Sequence, residues 1–363
     1  MKRLIYTILL PLLLVGCNKD NDLLQDDPRA RIYLSAVTEP SVVTRTPYEY
    51  ITPNENPDGI LMATVLASTT PNQFLNIGAN GKGSDGTVDG VVSIHAMTEF
   101  DNGAPQLLSQ AVYPIDGKTV YFVGFHPMQG WVVPGSTAPD IDPVNGGKLA
   151  TFTFNGTHDV MFAPRIEGTY ATSGDQINTA ALTFKHLLTW FKLKVSAEDE
   201  KVNNAWGKIK SIKITSLDKV SIDISSNYDA VNSVTFSGED DTQFNFYQKG
   251  SDVVFPSAGG YELEHHPVEV AYVLCAPVDA KAPYFESGEE IFPAEYIMTI
   301  ETEHRMVTLP IDLKKDATNY FAENTRGRCF TINLKFTMGN TVVVTATVSD
   351  WGFGGTGSAE FGE

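Results

Sequence analysis

The sequence predicts an all-β protein arranged as two β-sandwich domains in tandem. Three observations predict it. From Ile60 onward, short apolar runs alternate with clusters of Gly, Pro, Asn and Asp, the pattern of many short strands. Toward the C-terminus the alternation acquires a strict period of two, as a half-buried strand requires. No long stretch carries the helical period of 3.6.

Taken in order, residues 18–45 are polar and charged, are broken by Pro28 and Pro40, and hold one strand-like run, Ile32-Tyr33-Leu34. Thr119 to Phe125 is a dense apolar run suited to a buried strand. Phe152 and Phe154 alternate with threonines and lead into a turn at Asn155-Gly156. Thr179–Trp190 fits a short helix or a strand equally, and Lys314–Ala322 fits a short helix. Phe191, Leu193 and Val195 alternate with Lys192 and Lys194, Ile212 and Ile214 flank Lys213, and Ile222 and Ile224 flank Asp223. Val268 to Leu274 is again dense. In Cys329 to Thr337, Phe330, Ile332, Leu334 and Phe336 share one face; Met338-Gly339-Asn340 reads as a turn; Val342, Val344, Ala346 and Val348 then share a face of the next strand. The hairpin's register is well specified, because a slip of one residue would turn the polar set into the core.

About 14 strands divide more readily into two sandwiches than into one sheet. The expected division is 1–17 as a signal segment, 18–45 as a tether, 46–172 as the N-terminal sandwich and 173–363 as the C-terminal one, with the junction in Ile166–Asn178. Gly78 to Gly90 and Trp131 to Gly147 read as loops.

The chain begins with a short basic stretch, Met1-Lys2-Arg3, followed by an apolar run from Leu4 to Val15. That run is too short for a spanning helix, which needs ~20 residues, and suits a signal-peptide core. It ends in Leu14-Val15-Gly16-Cys17, which fits lipoprotein cleavage with Cys17 as the lipidated N-terminus and the outer membrane as its partner. The alternative is a buried helix followed by a cysteine by chance. The net charge of −18 repels phosphate backbones and argues against nucleic acid as a partner. With 42% hydrophobic and 19% charged residues a core can be buried, so global disorder is excluded. Cys275 and Cys329 lie in strand-like runs, and both a disulfide and two buried thiols are open readings.

Catalytic patterns are missing. There is no Gly-x-Ser-x-Gly, P-loop, dinucleotide fingerprint, His-Glu-x-x-His or Cys-x-x-Cys, so neither an enzyme nor a cofactor is expected. His265-His266 is the only histidine pair; on a strand the two point to opposite faces, which suits surface residues better than metal ligands. His186 sits in an apolar context and reads as a hydrogen-bonded core residue. Asp85 and Asp89 lack the spacing of a calcium loop, and Glu289-Glu290 discriminates nothing in an acidic chain, so no metal is expected. Tyr121 reads as core, whereas Trp131 opens a loop and is a candidate ligand contact.

Several segments, taken in order, resemble a known family. They are the lipobox at Cys17, Tyr121-Phe122-Val123-Gly124-Phe125-His126-Pro127 with the later Trp131, and Phe152-Thr153-Phe154-Asn155-Gly156 followed by Asp159-Val160-Met161-Phe162-Ala163. Phe184-Lys185-His186-Leu187-Leu188 then leads into Phe191-Lys192-Leu193-Lys194-Val195, Trp206-Gly207 precedes Ile209 to Ile214, and the last strand ends in Val348-Ser349-Asp350-Trp351-Gly352. Over roughly residues 17 to 355 the chain resembles the Bacteroidetes fimbrillin-like family of type V pilus subunits. Asn18-Lys19-Asp20-Asn21-Asp22 likewise resembles the lysine-plus-acidic signal that sends lipoproteins of these bacteria to the cell surface. The resemblance implies two transthyretin-like sandwiches, a fimbrial location, and assembly with other pilus subunits by β-strand addition after an arginine-specific protease removes an N-terminal strand. It makes Arg45-Thr46 the expected cleavage site and Ile32-Tyr33-Leu34 with Val42-Val43 the segment removed, with Arg29 and Arg31 as lesser sites. The tail from Gly352 to Glu363 carries five glycines, which weaken a strand, and so favours a tip or accessory subunit that contributes to adhesion over a stalk subunit that donates a strand. An anchor subunit that keeps its lipid is also open, as are host or bacterial surface ligands. The alternative from a different class is a surface glycan-binding lipoprotein of a polysaccharide-uptake system, with Trp131 as its aromatic platform.

Overall fold

The computed structural model describes residues 33–38, 61–68, 94–98, 106–107, 117, 119–126, 140–141, 149–169, 179–223, 234–239, 242–277, 284–286, 289–291, 296–311, 325–338, 341–350 and 359–360. The first strands are β1 (Tyr33–Thr38), β2 (Leu61–Ser68), β3 (Ile94–Thr98), β4 (Gln106–Leu107), β5 (Val120–His126), β6 (Asp140–Ile141), β7 (Leu149–Thr153), β8 (Met161–Gly168) and β9 (Thr179–His186). After β10 (Thr189–Ala197) comes one short helix, α1 (Glu200–Trp206), then β11 (Ile209–Thr215), β12 (Lys219–Asp223), β13 (Val234–Ser237), β14 (Gln243–Asn245), β15 (Tyr247–Gln248) and β16 (Val268–Cys275). The chain closes with β17 (Tyr284–Glu286), β18 (Glu289–Ile291), β19 (Tyr296–Thr302), β20 (Met306–Ile311), β21 (Arg328–Phe336), β22 (Val342–Asp350) and β23 (Ala359–Glu360). The fold is all-β, as the alternation predicts. Among the described residues no helix is long and apolar enough to cross a membrane.

The strands form a seven-stranded sheet in the order β1-β9-β8-β5-β2-β3-β4, a six-stranded sheet β15-β16-β10-β21-β22-β23, four-stranded sheets β14-β11-β19-β20 and β13-β12-β7-β6, and the pair β17-β18. β8 and β9 belong to one sheet, and residues 170–178 of the expected junction lie outside the described residues. Passage from the seven-stranded to the six-stranded sheet falls at Leu187-Leu188, between β9 and β10. β7 pairs with β12 from Leu149↔Asp223 to Thr153↔Lys219, so strands far apart in sequence share a sheet.

The alternation of β10 explains its central place. Phe191, Leu193 and Val195 are fully buried, as are Phe330 and Ile332 on β21, while the lysines between them are partly exposed. This face joins Ile212 and Ile214 of β11 and Met298 and Ile300 of β19 in one continuous core. The Phe191 and Tyr296 rings meet edge-on at 4.8 Å, and the Tyr296 hydroxyl donates to the Ala276 carbonyl at 2.9 Å. The predicted hairpin is β21–β22, in register from Arg328↔Asp350 to Phe336↔Val342.

Thr179–Trp190, open between helix and strand in the sequence, is the whole of β9 and the first two residues of β10. The helix lies ten residues further on. Asp199 caps it by accepting a 2.9 Å hydrogen bond from the Val202 amide, and Gly207 ends it at φ 71°, a conformation that favours glycine. Trp206, fully buried, packs edge-on against Phe336 at 5.0 Å and donates from Nε1 to the Thr337 carbonyl at 3.0 Å. The Lys314–Ala322 segment and the Gly78–Gly90 loop lie outside the described residues, and the loop expected over Trp131–Gly147 contains the two-residue strand β6.

Candidate functional site

β1 stands at the end of the seven-stranded sheet and, among the described residues, is held in its ladder by β9 alone. The two run parallel, in register from Tyr33↔Thr179 to Thr38↔Phe184. β1 also approaches β4, the strand at the opposite end of the sheet order, so the sheet curls and its two ends come near each other. The β9 wall beside β1 is apolar: Leu182 is 1% exposed and Phe184 fully buried. Phe184 reaches across β8 toward β5, where a Cβ built at Gly124 would lie 2.7 Å from its ring and 3.4 Å from Ala163 Cβ. Loss of β1 would bare one row of backbone N–H and C=O groups on β9 beside this wall, which is the requirement for strand addition. The sequence marks Ile32-Tyr33-Leu34 as strand-like; the strand runs from Tyr33 to Thr38. Its partner, nearly 150 positions downstream, has no local signature.

A second feature lies where the two large sheets meet. Gly156 to Val160 is a buried connection between β7 and β8, entered at the partly exposed Asn155. Gly156 adopts φ 93°, and a Cβ there would meet Val273 at 2.9 Å and Phe244 at 3.0 Å, so only glycine fits. The Gly156 carbonyl accepts from the Leu274 amide at 2.9 Å, and the Asn155 carbonyl accepts from the Tyr247 hydroxyl at 3.2 Å. On the other side, the Val160 carbonyl accepts from the Leu187 amide at 2.8 Å, and Asp159 Oδ2 lies 2.5 Å from His186 Nδ1. His186 is thus the hydrogen-bonded core residue expected. His126 and His158, which the sequence does not single out, are buried beside it. Thr157 Oγ1 contacts His158 Nδ1. Burial, and secondly the neighbouring His126, hold the His158 imidazole down to about 3, so it is neutral at physiological pH.

The other sequence candidates fall as follows. Cys17, Arg45, Thr46, Trp131, Asp85 and Asp89 lie outside the described residues. His265 and His266 are exposed, and His266 Nε2 sits 3.2 Å from Glu264. No disulfide joins Cys275 to Cys329. They flank β10 on opposite sides, Cys275 opposite Thr189 and Cys329 opposite Trp190. Two strand spacings, about 9–10 Å, exceed the span of a disulfide. Burial pushes the Cys275 thiol well up, opposed weakly by its hydrogen bond with Ser216. Among the described residues no group of three or more His, Cys, Asp or Glu side chains is placed to hold a metal ion.

Comparison with known proteins follows this geometry. Among solved structures, a candidate cell adhesion protein from Bacteroides uniformis matches with a TM-score of 0.51 at 13% identity, over 88% of this chain and 99% of that one. A fimbrial protein from Bacteroides vulgatus matches with a TM-score of 0.46 at 14% identity, over 89% and 99% of the two chains. A candidate adhesin from Bacteroides thetaiotaomicron matches with a TM-score of 0.45 at 9% identity, over 92% and 98%. At these identities the first likeness supports the fold alone. No curated protein matches the chain. The model of the fimbrillin-like family matches residues 75–351, well over half of the chain. The chain therefore belongs to the fimbrillin-like family.

Proposed function

We propose that this protein is a surface subunit of a pilus that assembles by β-strand exchange and contributes to adhesion, and that β1 is the strand exchanged. The observation that carries the reading is the position of β1: a terminal strand of a curled sheet, laddered among the described residues to β9 only, and preceding Arg45-Thr46 in the chain. Such a strand can leave without breaking any ladder but its own, and an incoming strand of similar length restores both the hydrogen bonds and the apolar cover. Family membership supports a structural role without an active site. Lipidation at Cys17 delivers the precursor to the outer membrane and cell surface, where cleavage after Arg45 releases β1. The glycine-rich tail, with β23 pairing at home against β22 over only Thr347↔Glu360 and Val348↔Ala359, suits a tip or accessory subunit that accepts a strand and does not donate one.

The test is limited digestion of the folded full-length precursor with an arginine-specific protease. The expected product begins at Thr46, loses residues 33–38 and forms higher-order assemblies with partner subunits. A product of that cleavage that remains strictly monomeric with its partners present overturns the reading.

A further inference from the structure

We infer that the chain beyond Thr46 is protected against the cleavage that matures it: its four arginines are all withheld from an arginine-specific protease, so digestion stops at the new N-terminus. The inference rests on the proposed cleavage after Arg45 and adds what keeps that cleavage from continuing. The four are Arg165, Arg305, Arg326 and Arg328. Each is half-buried. Lysine, by contrast, occupies exposed positions, at Lys201, Lys208, Lys210, Lys219, Lys249 and Lys335. Neither Gly78–Gly90 nor Trp131–Gly147, the two loops that the sequence predicts, holds an arginine.

Two of the four lie in strands. Arg165 belongs to β8, and its guanidinium stands 5.4 Å from the centre of the Tyr121 ring on β5. Arg328 opens β21 opposite Asp350 of β22, and its amide donates to the Thr325 carbonyl at 3.2 Å. The other two lie in turns, where folded chains are ordinarily nicked. Arg305 closes the turn between β19 and β20. Its amide donates to Thr302 Oγ1 at 3.1 Å, and its carbonyl accepts from the Thr302 amide at 2.7 Å. Its guanidinium folds back over the Trp206 ring, 4.7 Å from the centre. Arg326 stands between Thr325 and Gly327. The Thr325 hydroxyl bonds Thr189 Oγ1 at 2.7 Å, and Gly327, at φ 64°, donates its amide to the Leu188 carbonyl at 2.9 Å. The Arg326 guanidinium lies 5.8 Å from the Phe236 ring, with Nε buried.

A planar guanidinium stacks on aromatic faces and is more weakly hydrated than an ammonium, so arginine is the cation that a fold can cover. Cleavage at any of these sites requires an opening that frees both the guanidinium and the backbone around it. Its rate scales with the population of that open form. Lys249 shows the contrast. Its side chain is 67% exposed, and the turn it enters runs on through exposed Asp252, Val253 and Val254.

The experiment digests the folded full-length precursor and its Lys249→Arg variant with an arginine-specific protease, and the unaltered precursor with a lysine-specific one, mapping fragments by mass. The arginine-specific protease should trim the tether of the unaltered chain and leave the body from Thr46 whole. The lysine-specific protease should cut that body after Lys249. In the variant, the arginine-specific protease should cut after position 249 at least about tenfold faster than after any of the four native arginines. Cleavage after Arg165, Arg305, Arg326 or Arg328 at a rate comparable with that at position 249 overturns the inference. A variant that stays whole beyond Thr46, or a lysine-specific protease that spares the body, overturns it as well, because resistance would then belong to the fold at large and not to where arginine stands. A tether left uncut at Arg45 counts against the proposed maturation alone, since the body is read from position 249.

Discussion

The ring of Phe184 rests against the backbone of Gly124, on the one position of β5 where a missing Cβ leaves room for it. The two residues belong to a row that crosses the curled sheet. Thr38 of β1 lies opposite Phe184 of β9, and Gly124 of β5 lies opposite Ala163 of β8 on one side and Val65 of β2 on the other. The contact therefore couples the strand that carries β1 to the middle of the sheet.

Gly124→Ala would place a methyl group 2.7 Å from that ring. Overpacking of this kind costs about 1–3 kcal/mol, read as a lower urea midpoint. Phe184→Leu added to the same chain should recover part of the loss, since the aromatic ring is what the methyl group meets. Additive losses in the double variant would show that the two residues do not interact.

Cys275 should resist alkylation. Its thiol is fully buried and held protonated far above the ordinary value of 9, so little thiolate exists at pH 8. Iodoacetamide at that pH should leave Cys275 unmodified in the folded chain and label it after unfolding in urea, as mapped by peptide mass. The same shift has a second consequence. The unfolded thiol ionises above pH 9 and the folded one does not, so this group's contribution to stability is intact below pH 9 and is lost as pH rises beyond it. Rapid labelling of the native thiol would contradict its placement.

Trp206 joins α1 to the hairpin turn. Trp206→Phe keeps a ring against Phe336 but removes the Nε1 bond to Thr337. The expected loss is about 1–2 kcal/mol. Trp206→Ala removes the whole side chain from the core and should cost about 3–5 kcal/mol. Urea denaturation followed by circular dichroism separates the two, and equal losses would mean that packing contributes nothing beyond the hydrogen bond.

The cap of the same helix gives a smaller effect. Asp199→Ala removes the acceptor for the Val202 amide. The cost is about 1 kcal/mol, and Asp199→Asn or Asp199→Ser should recover most of it. No change in the alanine variant would show that the amide finds another partner.

Legibility in the sequence varies with the range over which information is stored. The β21–β22 hairpin is plain because Phe330, Ile332, Leu334 and Phe336 alternate within one strand and the turn is adjacent. β16 is plain because a run buried on both faces is continuously apolar. Helix α1 escapes a period search because two turns hold only Val202 and Trp206 as buried positions. Its signals are of another kind: an acidic cap at Asp199, Glu200 in the first turn, and Gly207 just past the end. Thr179–Trp190 is ambiguous because Leu187 and Leu188 fill the break between two strands with apolar residues. Parallel ladders such as β1–β9 and β10–β21 leave no local trace, since their partners are set by closure of the whole fold. For the candidate site, the strand-like character of Tyr33 and Leu34 is readable, while the partner that makes it an edge is not. His186 is readable as a satisfied core residue and His126 closes the apolar run that ends at Phe125, whereas His158, between Thr157 and Asp159, lacks the apolar flanks that mark a buried imidazole.

β10 lies between β16, antiparallel to it, and β21, parallel to it, and Thr189 at its start bonds Thr325, 136 positions later. A chain cut before residue 328 would keep the β16 flank of β10 paired and leave the other flank a raw seam down the middle of the six-stranded sheet. Docking of β21, from Trp190↔Cys329 to Ala197↔Phe336, is therefore the step that joins the two halves of that sheet.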